Sequence, residues 1–449
     1  MRLKGKKVLV VGLGRSGEAA TRFFLDQGAR VAVTDLKQEE ELSRIVQEWK
    51  GLPIEWHLGN NDGDIFVRQD LICVSPGVSM EIPGLKRAHR KRIPILGEMG
   101  VAVLYLQSPF IAVTGTNGKS TTSTLIAELI NASGQKAALA GNIGRPLLEV
   151  VMENKKYDYA VVEVSSFQME TVKKFHPKVA VLLNLTEDHL DRYATFRDYV
   201  HAKMRILKDQ TYRDWVVFNQ ESQPLKSYLS RSKARHLPFS MHSILQDGLF
   251  VSSGRIVRRW KGEFEDYPLE KVKLIGLHNV ENMMASIGVA RICEVPSKTI
   301  REVLERFEGL PHRMQLVRER NGVLYYNDSK GTNIDALAKS LSGFKDHQVI
   351  LIAGGKHKGG SFVPLRSLIA QKVKSLLLIG DASRLMARQL KETASIAEVG
   401  TMENAVKKAS EEAKPGDRVL LSPGCASFDQ YKNFEERGKH FQEIVAQLI

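Results

Sequence analysis

Cysteine is scarce: Cys73, Cys293 and Cys425 are the only three in 449 residues. Odd in number and far apart, they argue against a disulfide framework and a cysteine-built zinc cage, and they fit a reducing compartment. Long apolar runs are missing as well. No stretch of about 18 uncharged apolar residues occurs, so no membrane-spanning helix is expected. The basic start "MRLKGKKVLVVGLG" passes from apolar residues straight into glycines with no small-residue cleavage site, so it reads as strand and turn rather than signal peptide. Internal repeats, low-complexity tracts, zinc-finger spacings and RNA-recognition motifs are absent. Acidic residues are in deficit: 65 Lys and Arg against 51 Asp and Glu give a net charge of +14. Positive charge favours anionic partners, meaning nucleic acid, a membrane surface or phosphorylated small molecules. The densest run, "LKRAHRKRIP" at 85–94, reads as a solvated face. A cytosolic enzyme for acidic substrates accounts for the charge as well as a nucleic-acid-dependent ATPase does.

What the chain does contain is an α/β pattern. Strand-like and helix-like segments alternate through most of it, which predicts largely parallel sheets. The length suggests about three domains. The blocks are 1–97, 98–309 and 310–449, the last following "FEGLPHR", where Gly309 and Pro311 punctuate a linker. The linkers near 97 and 309 read as hinges. Within the middle block, "GLFVSSGRIVRRW" and "VKLIG" read as short strands of a small side sheet.

The first block opens with a pyrophosphate cradle. The apolar run Val8 to Val11 leads into Gly12-x-Gly14-x-x-Gly17, and "ARVAVTD" ends a second strand at Asp35. Strand, glycine turn and helix N-terminus suit a diphosphate. Alone, this stretch suggests an NAD-dependent dehydrogenase. That reading leaves the other two blocks unexplained.

The middle block begins with "IAVTGTNGKSTT", a strand, a glycine loop and a helix start. Gly115, Thr116, Asn117, Gly118, Lys119, Ser120 and Thr121 form a phosphate loop, with Lys119 for β/γ-phosphates and Ser120 for Mg²⁺. Val113 stands where the strict motif has a glycine, so the loop is a shorter variant. "YAVVEVSSFQME" ends a strand at Glu163, before Ser165 and Ser166. "VAVLLNLTEDHLDRY" ends another in Asn184, Glu187, Asp188, His189 and Asp191. Carboxylates and imidazole at such strand ends suit a divalent metal beside phosphates. Three more polar strand ends lie in the last block. "NDSKGTN" carries Asp328, Lys330, and Thr332 or Asn333 as a helix cap. "GGKHKGG" carries Lys356 and Lys358. "LSPGCASFDQYKNFEERG" carries Ser422, Ser427 and Phe434. Together they predict a binding face on one sheet edge.

With "GNIG", "HAKMRIL", "HNVEN" and "GLPHR", these motifs in this order resemble the Mur ligase family from residue 1 to the C-terminus. "SSFQ", "TEDHLDRY" and "NDSKGTN" resemble its D-glutamate-adding branch. The DNPR-type motif of the diaminopimelate- or lysine-adding branch does not occur. Folylpolyglutamate synthase, which shares the ATP domain, lacks the glycine-rich first block. The resemblance implies three α/β domains: a Rossmann-like UDP-binding domain, a P-loop-type ATPase domain and a Rossmann-like C-terminal domain. It implies a cytoplasmic, ATP-dependent amide ligase of peptidoglycan synthesis. The enzyme would add D-glutamate to UDP-N-acetylmuramoyl-L-alanine through an acyl phosphate, as a monomer and without nucleic acid.

The resemblance also assigns residues. Lys119 and its loop hold the triphosphate. Ser120 and Glu163 hold one Mg²⁺, and His189 holds a second with Lys203, which the family carbamylates. From the sequence alone Lys203 is an ordinary helix-surface lysine. Asn282, Arg313 and Asp328 match adenine, phosphate and ribose contacts. Gly14, Ser16, Asp35, Lys37, Ser75, Gly77 and Asn142 match the UDP-substrate site. Lys330, Thr332, Lys358, Ser427 and Phe434 match the D-glutamate pocket. Spacing favours Lys358 over Lys356. Closure of the C-terminal domain on nucleotide binding is expected.

Overall fold

The structure, a computed structural model, describes residues 2–60, 63–189, 192–274 and 276–448. Three sheets follow one another along the chain. The first holds β1 (Lys7–Val11), β2 (Arg30–Asp35), β3 (Ile54–Leu58), β4 (Leu71–Val74) and β5 (Ile95–Gly97). All are parallel, in the order β3-β2-β1-β4-β5. Val8 to Val11 are wholly buried because helices cover both faces of a parallel sheet. The strand order reverses between β1 and β4, so the Gly12–Gly17 turn sits at the crevice where such sheets take ligands.

The second sheet has nine strands. They are β6 (Phe110–Thr114), β7 (Ala137–Gly141), β8 (Tyr159–Glu163), β9 (Val179–Leu182), β10 (Trp215–Asn219), β11 (Arg235–Ser240), β12 (Gly248–Ser252), β13 (Arg255–Trp260) and β14 (Glu263–Pro268). Their order is β14-β13-β12-β11-β10-β9-β6-β8-β7. The expected side strands are a continuation of this sheet. β12 pairs with β11 at Phe239–Leu249 and Ser240–Phe250, and β13 and β14 add as antiparallel hairpins. "VKLIG" is not the last strand. Residues 272–274 carry no strand, Ile275 lies outside the described residues, and β14 occupies the edge instead. The reason is the turn at Lys261 and Gly262, both at positive φ, 49° and 83°. A two-residue turn of that hand folds β14 straight back on β13.

The third sheet holds β15 (Gln315–Arg320), β16 (Val323–Asn327), β17 (Val349–Gly354), β18 (Val373–Ile379), β19 (Ser395–Gly400) and β20 (Arg418–Leu421). Its order is β15-β16-β20-β17-β18-β19, with β15 alone antiparallel.

The cores do not follow the sheets one to one. A single apolar cluster runs from Leu3 to Ala234 and joins Phe23, Met99 and Val101 to Leu147, Leu148 and Val172. The C-terminal unit has two clusters of its own, one on each face of its sheet. The hinge expected at 97 is therefore not there. Residues 95–102 are buried, and a Cβ on Gly97 would overlap the Thr171 hydroxyl. The chain near 309 does read as a linker: residues 308–314 are half-buried or exposed, with Gly309 at φ 92°. Among the described residues, no helix is long and apolar enough to cross a membrane.

Candidate active site

The phosphate loop leaves the buried strand β6 and enters the helix Lys119–Ala132. Gly118 stands at φ 86°, and a Cβ there would overlap Asn282 Oδ1. Only glycine fits. Asn282 is buried beneath the loop, accepting from Thr122 Oγ1 at 3.3 Å and donating to Asn279 Oδ1 at 3.0 Å. In this arrangement it braces the loop, because both ends of its amide are engaged within the protein. It also lines the space beside Gly118, His278 and Arg313. Lys119 Nζ donates to Gly115 O at 3.0 Å and Thr116 O at 2.8 Å, folded over its own loop. Burial lowers its pKa against the attraction of Glu163 and Asp188. Ser120 and Thr121 are buried at the helix start, and Thr121 Oγ1 has no hydrogen-bond partner among the described residues.

Neighbouring strand ends converge on this loop. β8 lies beside β6 and brings Glu163 level with Val113. Glu163 is 2% exposed. Its Oε1 accepts from Asn142 Nδ2 at 2.8 Å, while Oε2 is buried without a partner among the described residues. β9 leads to Asn184, whose Oδ1 accepts from Asn117 N at 2.8 Å.

Lys203 overturns its sequence reading. The helix Phe196–Met204 turns it inward, where it is 2% exposed and donates to Gly115 O at 3.0 Å over the Tyr199 ring. Burial pushes its pKa well below the ordinary lysine value, and Lys119 adds to the effect. His189, at φ 56°, packs its ring edge-on to Phe167 at 4.7 Å. Burial, together with Lys358, Lys119 and Lys203, pushes its pKa down to about 4 despite Asp188. It is neutral at pH 7.

The described side chains of the acidic cluster after β9 point to different partners. Among the described residues, no three His, Cys, Asp or Glu side chains converge. Asp188 turns instead to Lys358 Nζ, 3.5 Å away, and accepts from Asn333 Nδ2 at 3.0 Å. Asp191 lies outside the described residues.

The C-terminal sheet presents its loops across a cavity of about 290 Å³ lined by Asp188, His189, Thr332, Asn333, Lys358 and Gly360, among others. Lys358 faces this cavity. Lys356 is exposed and bridges Ala426 instead. Lys330 sits 4.7 Å over the Phe434 ring, and burial lowers its pKa. Ser427 is buried nearby in sequence to Phe434, at the start of the loop that leads to it. Arg313 lines a second cavity of about 490 Å³ at the linker, and it also borders the space beside Gly118 and Asn282. Asp328 follows directly on β16. It is wholly buried, accepting from Ser340 at 2.7 Å, Ser422 at 2.8 Å and Met314 N at 3.3 Å. Here it ties its own loop to β20.

Two residues escaped the sequence reading. Asp335 Oδ2 accepts from Asn117 Nδ2 at 2.6 Å and Thr186 Oγ1 at 3.2 Å, latching the C-terminal unit to the phosphate loop. Its only sequence signal was an acidic residue in a first helical turn, which is ordinary. Arg437 is 1% exposed and donates to Ser329 O, Ala426 O and Cys425 O. It binds the loop after β16 to the loop after β20.

The first sheet adds its turn. Asp35 accepts from Leu13 N at 2.6 Å and Lys37 N at 2.9 Å, and Ser75 donates to Gly12 O at 2.8 Å. These bonds shape the loops around Gly14, Ser16, Lys37 and Gly77, all at least partly open to solvent. Arg192 ties the Ser75–Gly77 turn to the central unit through Pro76 O at 3.1 Å.

Three family descriptions match successive stretches of the chain. They are "Mur ligase MurD-like, N-terminal domain" over 6–97, "Mur ligase middle domain" over 113–290 and "Mur ligase, glutamate ligase domain" over 312–425. The chain belongs to the Mur ligase family. A curated relative of this Mur ligase, from Geotalea uraniireducens (strain Rf4), is named UDP-N-acetylmuramoylalanine--D-glutamate ligase. It is 44% identical over 448 residues, covering 100% of this chain and 99% of that protein. A relative of the same name from Thermoanaerobacter sp. (strain X514) is 41% identical, with 100% of both chains covered. Solved structures share the fold. A pseudomurein peptide ligase type C from Methanothermus fervidus matches with TM-score 0.63 at 18% identity, covering 99% of this chain and 100% of that one. A MurF ligase from Thermotoga maritima in complex with ADP matches at 0.61 and 17% identity, covering 99% and 96%. The family membership sets aside the dehydrogenase reading that the Gly12–Gly17 turn invites in isolation.

Proposed function

We propose that this Mur ligase joins D-glutamate to the carboxylate of UDP-N-acetylmuramoyl-L-alanine in peptidoglycan synthesis, using ATP and passing through an acyl phosphate. Two relatives bearing the D-glutamate ligase name match it from end to end. The observation that carries the chemistry is Glu163, a buried carboxylate with one oxygen unpartnered beside a phosphate loop. A hard cation takes oxygen ligands, so Glu163 with the Ser120 hydroxyl fits Mg²⁺ between loop and triphosphate. His189 and Lys203 fit a second Mg²⁺. A buried lysine that disfavours its charged form is a nucleophile for CO₂, and the carbamate that results is an anionic oxygen ligand. Magnesium, when bound, neutralises triphosphate and developing charge.

The chain's own residues do the rest. Lys119 leaves its loop carbonyls for the phosphates, which restores a charged partner to a buried ammonium. Asn142 holds Glu163 Oε1 and so keeps Oε2 aimed at the loop. The Gly12–Gly17 turn cradles the UDP diphosphate, with Ser16, Asp35, Lys37, Ser75 and Gly77 around it. Lys330, Thr332, Lys358, Ser427 and Phe434 receive D-glutamate, the two lysines meeting its carboxylates. Arg313 contacts nucleotide phosphate from the linker side. The working units are 1–97, 98–309 and 310–449. The enzyme acts in the cytoplasm as a monomer, without nucleic acid, and its last unit closes on nucleotide.

The test is phosphate release with UDP-N-acetylmuramoyl-L-alanine, ATP and D-glutamate, with L-glutamate and L-lysine as controls. Release is expected with D-glutamate alone. None with D-glutamate would refute the acceptor.

A further inference from the structure

The basic run at 85–94 takes no part in the ligase site, but the topology gathers it with other cations. In a parallel sheet all strands begin on one edge, and the first sheet's five strands make that edge about 19 Å wide. Lys7 and Arg30 open β1 and β2, Arg68 comes just before β4, and Arg90, Lys91 and Arg92 come just before β5. All six are exposed. Acids at this edge are few and mostly engaged. Asp70 pairs with Lys6 at 3.5 Å and Asp64 with Arg68 at 3.4 Å. Arg30, Arg90, Lys91 and Arg92 make no ion pair among the described residues.

The edge is also apolar between its cations. A cavity of about 770 Å³ opens there, with Lys7, Arg30 and Arg68 around Val31, Leu52, Pro53, Ile54 and Ile65, and with one carboxylate, Glu55, which pairs with His57 at 2.8 Å. Leu52 is 45% exposed. Single-stranded nucleic acid binds on aromatic stacking platforms, and no aromatic residue lines this cavity. Cations beside exposed aliphatic groups instead match the phosphate headgroups and acyl boundary of a bilayer. The substrate turn at Gly12–Gly17 and Asp35 lies at the opposite ends of the same strands, roughly 17 Å away along β1. Docking through this edge leaves the ligase site open.

We propose that the amino-terminal edge of the first sheet docks this protein on an anionic phospholipid bilayer. The inference is independent of which amino acid the ligase adds. The full chain is sedimented with vesicles of equal parts phosphatidylglycerol and phosphatidylcholine, and with vesicles of phosphatidylcholine alone. It is expected to pellet only with the anionic vesicles, and less as salt rises. Each basic residue near the surface contributes about fivefold. The triple variant Arg90→Gln/Lys91→Gln/Arg92→Gln should therefore bind on the order of a hundredfold more weakly. Its ATP-dependent phosphate release with soluble substrates should equal the wild type's, which also reports correct folding. Arg30→Gln/Arg68→Gln tests the cavity separately, with about 25-fold weakening expected. Equal pelleting with neutral vesicles, or a triple variant binding like wild type, overturns the proposal. So does displacement by millimolar inorganic phosphate, which assigns the edge to free anions. Tighter binding to polyuridylate than to anionic vesicles also overturns it, in favour of nucleic acid.

Discussion

Exchanging Glu98 for glutamine is expected to stabilise the protein above neutral pH. Glu98 starts the helix Glu98–Ala102 at the junction of the first two units and is 2% exposed. Its Oε1 accepts from Leu148 N at 2.6 Å, which fixes the helix that follows the "GNIG" loop. Its Oε2 is buried without a partner among the described residues. Burial raises its pKa to about 7, and Glu149 adds to this against the Leu148 and Leu147 amides. The folded state therefore holds this proton more tightly than the unfolded chain, where the value is 4.5. Between those two values stability falls as pH rises, and above about 7 the cost of the buried charge is complete. At 1.36 kcal/mol per unit, that cost is about 3 kcal/mol as an upper bound. Glutamine keeps an acceptor for Leu148 N and never ionises. Thermal melts of both proteins from about pH 5 to pH 8 should separate progressively, the variant melting a few degrees higher at pH 8. Glu98→Ala should melt lower at every pH, because it loses the bond and leaves a void. If Glu98→Gln and wild type show parallel pH profiles, folding does not raise the pKa of Glu98 above its unfolded value and the reasoning fails.

Three further outcomes follow from the site. Gly118→Ala forces a positive φ and meets the braced Asn282, so it should cost on the order of 1–3 kcal/mol of stability in melts and weaken nucleotide binding by calorimetry. An unchanged nucleotide affinity would contradict that account of the loop. Glu163→Gln should bind nucleotide but lose two to three orders of magnitude, roughly, in phosphate release; activity within tenfold of wild type would remove Glu163 from the metal site. Asp335→Ala removes the acceptor of Asn117 and Thr186, a change of about 1–2 kcal/mol. Its nucleotide-free scattering profile should be more extended than that of wild type, and an identical profile would mean that the latch does not hold the C-terminal unit.

The parts of the site legible in the sequence are those written into contiguous residues. An apolar strand that ends in glycines and then Lys119, Ser120 and Thr121 declares a phosphate loop locally, and Glu163 stands out because a carboxylate ends a buried strand. What stayed hidden depends on distant packing. Lys203 sits in a helix whose inward face nothing in "HAKMRIL" marks, and its partner Gly115 is 88 residues away. Asp335 meets Asn117 across 218 residues. Asn282 and Asp328 lie in matching motifs, but their partners Thr122 and Ser422 are 160 and 94 residues away. Of the side strands, "GLFVSSGRIVRRW" does hold β12 and β13, and only the last was misplaced, because a Lys-Gly pair gives a weaker turn signal than Asn-Gly.

The apolar cluster that spans the first two units bears on how such a chain is inherited. Recombination between relatives at the 309 linker exchanges the C-terminal unit with its two cores complete. A crossover near 97 divides one core between two parents, so Phe23, Met99 and Val101 must meet an unfamiliar Leu147, Leu148 and Val172. The first two units are therefore expected to travel through evolution as one cassette, and a library of functional chimaeras should be rich in crossovers at the second junction and poor in them at the first.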